Sequence, residues 1–368
     1  MRRAAVGDQT SLADRKRRAA QRLILGFEGT SVPAELKRFV ERAPPAGFIL
    51  FARNIEEAAQ VQELNRELAD LLPSSMPPLL SVDQEGGRVL RIRDTAWPPM
   101  RWLGNADDPE LTRQVARSIA GELAAMGFNL DWAPVADVDS NPKNPVIGDR
   151  SFSSDPDTVA RHVISFLSGL HDAGLMGSVK HFPGHGDTSV DSHLDLPTVE
   201  KELPDLEQCE LLPFQRAVQA GVEIVMTAHV VFPVWDEEHP ATMSQRILRG
   251  WLRERLGYTG VVVSDDMEMG AVRGRYPLEM QLDCACRATV DLFLCCKELD
   301  LQVEAWETLI RLQEQDKAHD DLCIDSNKRL GALRERFLLN PPDRPPLDVV
   351  GGIANRDLAL KVAARGKA

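Results

Sequence analysis

Gly174-Leu175-Met176-Gly177-Ser178-Val179-Lys180-His181-Phe182-Pro183-Gly184-His185-Gly186-Asp187 begins apolar and ends polar. Its first half is short and continuous, which is how a strand covered on both faces reads. Its second half bends through Pro183, Gly184 and Gly186 and carries a lysine and two histidines. Parallel α/β proteins keep their chemistry at such strand ends and in the loops that follow.

The same unit recurs along the chain. Strand-like runs at 22–27, 47–51, 78–83, 128–134, 174–179, 222–227, 260–265 and 292–296 alternate with helical patterns at 32–42, 55–72, 109–126, 158–173, 204–220, 244–256, 278–289 and 299–314. Alternation of this kind implies a parallel sheet. Eight repeats predict closure into a (β/α)8 TIM barrel, an α/β fold in a single domain over 22–340. An open doubly wound sheet is the alternative. Residues 1–21 read as a polar N-terminal extension. Residues 341–368 read as a proline-rich linker and C-terminal tail, opening with Pro341-Pro342-Asp343-Arg344-Pro345-Pro346 and ending in a short helix or disorder over 355–368.

A hydrophobic content of 43% in 368 residues suffices for a sizeable core. The net charge of −13 argues against nucleic acid or an anionic membrane as partner. No apolar run of signal-peptide length follows the basic N-terminal residues, and no stretch reaches the ~20 apolar residues that span a bilayer. None of the six cysteines forms a Cys-x-x-Cys pair, so reduced buried thiols in a cytoplasmic protein are expected. A monomer or weak oligomer is expected.

Polar residues stand at the carboxyl ends of five inferred strands: Asp83, Asp131, Lys180 with His181, His229, and Asp265. In a parallel barrel those ends share one face, so together they predict one polar pocket. Val261-Val262-Val263-Ser264 lead into Asp265, and a carboxylate fixed this way can act as a nucleophile at an anomeric carbon. Asp266 reads as a cap for the next helix. In Asp191-Ser192-His193 the carboxylate can orient the imidazole, which can donate and retake a proton near neutrality. His181, His185, Asp191 and His193 are also metal-ligand types. Their spacing matches no metal motif, and Lys180 would repel a cation. Asp83-Gln84-Glu85-Gly86-Gly87-Arg88-Val89-Leu90-Arg91 reads as a grip on sugar hydroxyls, since carboxylates accept from hydroxyls and arginine donates in a fixed fork. It lacks the Gly-Lys-Ser/Thr of a phosphate loop. Arg150, in Ile147-Gly148-Asp149-Arg150-Ser151-Phe152, is a further loop arginine.

Taken together, Ile49 to Asn54, Val82 to Arg88, Ile147 to Phe152, Lys180 to Gly186, Asp191-Ser192-His193 and Gly260 to Asp266 resemble glycoside hydrolase family 3, in particular its single-domain bacterial β-N-acetylglucosaminidases of cell-wall recycling. The resemblance runs from about Gly26 to Phe337. It implies a retaining mechanism on a (β/α)8 barrel, with Asp265 as nucleophile and His193 as acid and then base, partnered by Asp191. It assigns the sugar to Asp83, Arg91, Arg150, Lys180 and His181, and it implies neither metal nor cofactor. The small carbohydrate expected as substrate is an N-acetylglucosaminide of muropeptide origin. A phosphorylase on the same scaffold, a family 3 glycosidase of different sugar preference, a metal-dependent barrel hydrolase and a barrel that only binds sugar are the other readings.

Overall fold

The computed structural model describes residues 11–190, 192 and 195–367. Eight parallel strands close into a barrel: β1 (Leu23–Leu25), β2 (Gly47–Leu50), β3 (Leu79–Val82), β4 (Leu130–Asp131), β5 (Met176–Phe182), β6 (Ile224–Thr227), β7 (Val261–Asp266) and β8 (Leu292–Cys295). Each pairs with its neighbours in sequence, and β1 closes the ring on β8 through Leu23–Phe293 and Leu25–Cys295. The single-domain (β/α)8 barrel is therefore the fold, and the open sheet is set aside.

Strand pleat sorts the core into two layers, because successive side chains face opposite sides. Ile24, Ile49, Leu130, Trp132, Met176, Ile224, Val261, Val263, Leu292 and Leu294 fill the barrel interior. Leu23, Leu25, Phe48, Leu50, Val82, Val179, Val225, Val262 and Phe293 pack outward against the helices. Both faces are buried, which is why these strands read as unbroken apolar runs.

β4 is shorter than the 128–134 run predicts. Pro134 brings no backbone N–H, so a regular ladder cannot continue through it. One isolated bridge, Val135 to Lys180, continues the contact with β5. The 244–256 helix is present as Arg246–Arg255, wound as a π-helix.

The N-terminal extension and the proline-rich segment are both packed on the barrel, and of the two readings of the C-terminal end the helix is the one present. Within the segment read as a polar extension, Leu12–Ala20 is a helix capped by Ser11, whose Oγ accepts from the Asp14 N–H. Ala19 and Ala20 are fully buried, Trp306 Nε1 donates to the Lys16 carbonyl, and Arg18 pairs with Asp320. The basic residues had masked two buried alanines at the end of the helix. At the other end, Pro341, Pro342 and Arg344 lie against Phe128, Ala173 and Gly174 rather than forming a free linker. Ile353–Gly366 is a helix. Its approach is pinned by buried Glu122, which accepts from Thr95, Trp97 Nε1, Gly351 N and Asn355 Nδ2. No described helix is long and apolar enough to cross a membrane.

Candidate active site

The pleat that packs the barrel also aims its strand ends. Val261 and Val263 point inward, and past a shift in the register with β8 both Asp265 and Asp266 reach the cavity. Strand parity carries Met176 and Ser178 to Lys180, and Leu79 and Ser81 to Asp83. Asp83, Lys180, His181 and Asp265 line one cavity of about 280 Å³ at the carboxyl end of the barrel, with Glu85, Arg91 and Arg150. Asp131 and His229, expected in the same pocket, stand outside its lining. Asp131 Oδ1 accepts from the Gln84 N–H, and burial pushes its carboxyl well up. His229 donates from Nε2 to the Asp266 carbonyl and pairs through Nδ1 with Thr242, and burial lowers its pKa.

One wall of the cavity is a network of charges. Lys180 Nζ lies 2.8 Å from Asp83 Oδ1 and 2.6 Å from Glu85 Oε1. Arg150 donates to both Glu85 oxygens, from Nε and Nη2 at 2.8 Å each. Arg91 reaches Asp83 Oδ2 at 3.5 Å and stacks over Phe51. Glu85 and Lys180 are almost wholly buried, with side chains 1% and 3% exposed. Burial opposes the charge on Glu85, and Arg150 and then Lys180 override it, holding the carboxyl far below its usual range. Burial likewise opposes the charge on Lys180, which Asp83 and Glu85 restore. The hairpin that brings Asp83 and Glu85 here turns at Gly86 and Gly87, both at positive φ. A Cβ at Gly86 would fall 2.3 Å from the Pro98 carbonyl oxygen, so the turn requires glycine.

Across from this wall stands Asp265. Its Oδ1 accepts from the Asp266 N–H at 2.8 Å. Burial disfavours its charge, but His181, His229, that N–H and Lys180 pull the carboxyl below its ordinary pKa. It is thus an ionised, half-buried carboxylate facing a cavity, the state a nucleophile needs. Asp266 is the opposite case. Burial, helped by Glu268 and Asp265, raises it to about 7, and its Oδ1 caps the Glu268 N–H.

The profile of the glycosyl hydrolase family 3 N terminal domain matches residues 20–328. The chain belongs to glycosyl hydrolase family 3. A β-hexosaminidase of Nitrosomonas eutropha is 38% identical over 311 residues, covering 82% of this chain and 87% of that protein. The family 3 β-N-acetylglucosaminidase structure from Paenibacillus sp. FPU-7 superposes with a TM-score of 0.89 at 36% identity, over 95% of this chain and 68% of the other. NagZ from Neisseria gonorrhoeae, solved with N-trifluoroacetyl-D-glucosamine, gives 0.77 at 29% identity, over 94% and 98%.

Asp191 and His193 lie outside the described residues. Between them, Ser192 is buried and tied down twice. Its Oγ pairs with His185 Nε2 at 3.0 Å, and its carbonyl accepts from the Ala271 N–H. Burial, with His181 nearby, pushes His185 down to about 4, so the ring is neutral. His185 therefore serves as a hydrogen-bonding strut in this family 3 site. Among the described residues, no three His, Cys, Asp or Glu side chains converge as a metal site.

Two site residues escaped the sequence reading. Glu85 follows Asp83 by two, so strand alternation would have aimed it at the same pocket. Asp137 lies in the irregular connection after β4, and no local pattern marks it. It accepts from the His181 N–H, His181 Nδ1 and the His185 N–H.

Proposed function

We propose that this family 3 hydrolase is a retaining exo-β-N-acetylglucosaminidase that removes terminal β-linked N-acetylglucosamine from peptidoglycan-derived muropeptides in the cytoplasm. Ionised Asp265 in one sugar-sized cavity with the Asp83–Glu85–Lys180–Arg150 network is the observation that carries the reading. The cavity falls just below the ~300–1,000 Å³ of drug-sized ligand sites, so it suits one sugar ring rather than a chain. The hexosaminidase names of its relatives and the N-acylated glucosamine bound to the Neisseria protein support the choice of sugar.

In the proposed reaction Asp265 attacks the anomeric carbon and forms a glycosyl ester as the C–O bond to the aglycone breaks. His193, held by Asp191, gives its proton to the departing oxygen. Water then attacks the anomeric carbon, and its bond to the Asp265 oxygen breaks. His193 takes the water proton back, and the Asp265 carboxylate is released. Lys180, Arg91, Arg150, Asp83 and His181 hold the hydroxyls, which keeps the anomeric carbon in line with Asp265.

The test is hydrolysis of aryl β-N-acetylglucosaminide against aryl β-glucoside, with and without phosphate, and then of a muropeptide digest. Preference for the N-acetyl sugar, indifference to phosphate and free N-acetylglucosamine from the digest are expected. Asp265→Ala should lose turnover while unfolding at the same denaturant concentration. A fully active Asp265→Ala would remove the nucleophile assignment, and a sugar-1-phosphate product would make the protein a phosphorylase.

A further inference from the structure

Asp137 is fully buried and does not line the cavity, yet it holds a residue that does. Its Oδ2 lies 2.7 Å from His181 Nδ1, and both oxygens are 3.2 Å from the His181 N–H. Its Oδ1 also accepts from the His185 N–H at 2.6 Å. The neighbouring backbone is locked to β5, with the Ala136 N–H on the Lys180 carbonyl at 2.7 Å, so the carboxylate cannot drift from the ring. Every donor here points at Asp137. Burial disfavours its charge, and His181 first among its partners holds it ionised all the same.

An ionised carboxylate only accepts hydrogen bonds, so the ring nitrogen facing it must carry a proton. His181 has one other nitrogen, and its ring lines the cavity beside Lys180 and Asp265. We propose that Asp137 is a positioning residue that fixes His181 with Nδ1 protonated and Nε2 presented to the substrate. In the neutral ring, Nε2 then accepts a hydrogen bond from a sugar hydroxyl. The opposite tautomer would present a donor there and leave an unprotonated Nδ1 against a carboxylate. The choice of tautomer thus decides which polarity of substrate group the cavity recognises at this point. The sugar partner rests on the function proposed above, whereas the tautomer does not.

Two experiments separate those parts. In the first, nitrogen-15 NMR of the full-length protein labelled at its eight histidines, with the His181→Ala spectrum for assignment, reads the ring directly. Nδ1 protonated and Nε2 bare is expected; an unprotonated Nδ1, or a proton on Nε2 as well, overturns the proposal whatever the substrate. The second is a kinetic cycle of Asp137→Asn, His181→Ala and the double variant on an aryl glycoside. Asp137→Asn keeps the shape but offers a donor amide, and it should lower kcat/KM by ~10–100-fold, the scale of a misdirected charge-assisted hydrogen bond. In the His181→Ala background the same change should cost little further. Wild-type turnover in Asp137→Asn, or the same fold-loss with and without the His181 ring, overturns the role. Should Asp137→Asn fail to fold, the NMR measurement on the unaltered chain still decides the tautomer. A protein that cleaves no aryl glycoside would count against the hexosaminidase reading alone.

Discussion

Replacing Glu85 by Gln tests whether charge, rather than shape, organises the charged wall of the cavity. The substitution keeps the side-chain volume. It turns one acceptor oxygen into an NH2 donor, which must then face either the Arg150 fork or the Lys180 ammonium, both now at 2.6–2.8 Å from the carboxylate. Removing one partner of a buried ion pair costs about 3–5 kcal/mol. Lys180 keeps Asp83 at 2.8 Å, and Arg150 keeps only the Val146 carbonyl at 3.3 Å. The expected cost is therefore at the lower end, about 3 kcal/mol, or roughly 100-fold at 1.4 kcal/mol per tenfold. Both cations line the cavity, so the loss divides between unfolding free energy and kcat/KM. Guanidinium unfolding and steady-state kinetics on the same preparation measure the two shares. The pH dependence has a definite sign. Glu85 is held below its usual pKa in the folded state, so its stabilisation is complete above the unfolded carboxylate value and is lost as pH falls towards the folded one. The difference between wild type and variant should be constant above about pH 5 and shrink in stronger acid. A combined effect under about 0.5 kcal/mol at neutral pH would refute the reasoning, because it would mean the charge is not needed where two cations converge.

Three further outcomes are expected. His193→Ala should slow glycosides with poor leaving groups far more than activated aryl glycosides, which need little protonation; equal losses on both would argue against His193 as the acid. His185 is pushed down to about 4 and is neutral in the fold, so the unfolded chain binds the extra proton below about 6.5. Stability should therefore fall by up to about 3 kcal/mol as pH drops through that window, and His185→Gln should flatten this slope in denaturant titrations. Glu122→Ala strands the Trp97 and Gly351 N–H groups and should cost about 2–4 kcal/mol, with hydrogen exchange across 353–366 rising first; unchanged protection there would show that Glu122 does not hold the C-terminal helix.

Much of the site was legible because two signals coincide in it. The strand end after Val261 and Val263 brings Asp265 to the cavity, with Asp266 beside it, and the loop motifs bring Asp83, Arg91 and Arg150. Strand parity read from Asp83 would have found Glu85. Asp131 and His229 misled because a polar residue at a strand end has two uses. One is to face the pocket, and the other is to satisfy a buried backbone group, as these two do for Gln84 and Asp266. Asp137 was illegible for a different reason: its partners lie 44 and 48 residues away, across a strand pairing that no local pattern encodes. The N-terminal helix was hidden by its basic residues. A few buried alanines suffice to dock 12–20, and a hydrophobicity pattern weighted by arginine does not register them.

The two carboxylates of the charged cavity wall lie two residues apart at one short hairpin, with Gln84 turned away to bond the Arg91 and Ile92 N–H groups. Their mutual placement is therefore a matter of frame rather than of loop shape. Loops elsewhere on the barrel rim can lengthen, shorten or change composition, remodelling what lies beyond the first sugar, without moving one carboxylate relative to the other. A single inserted residue between Asp83 and Glu85 would do the reverse, presenting an amide where the acid stood and sending the acid into the packing beneath. Loop exchange thus reshapes the rim of this scaffold, while the spacing of the two carboxylates moves only if the hairpin itself is changed.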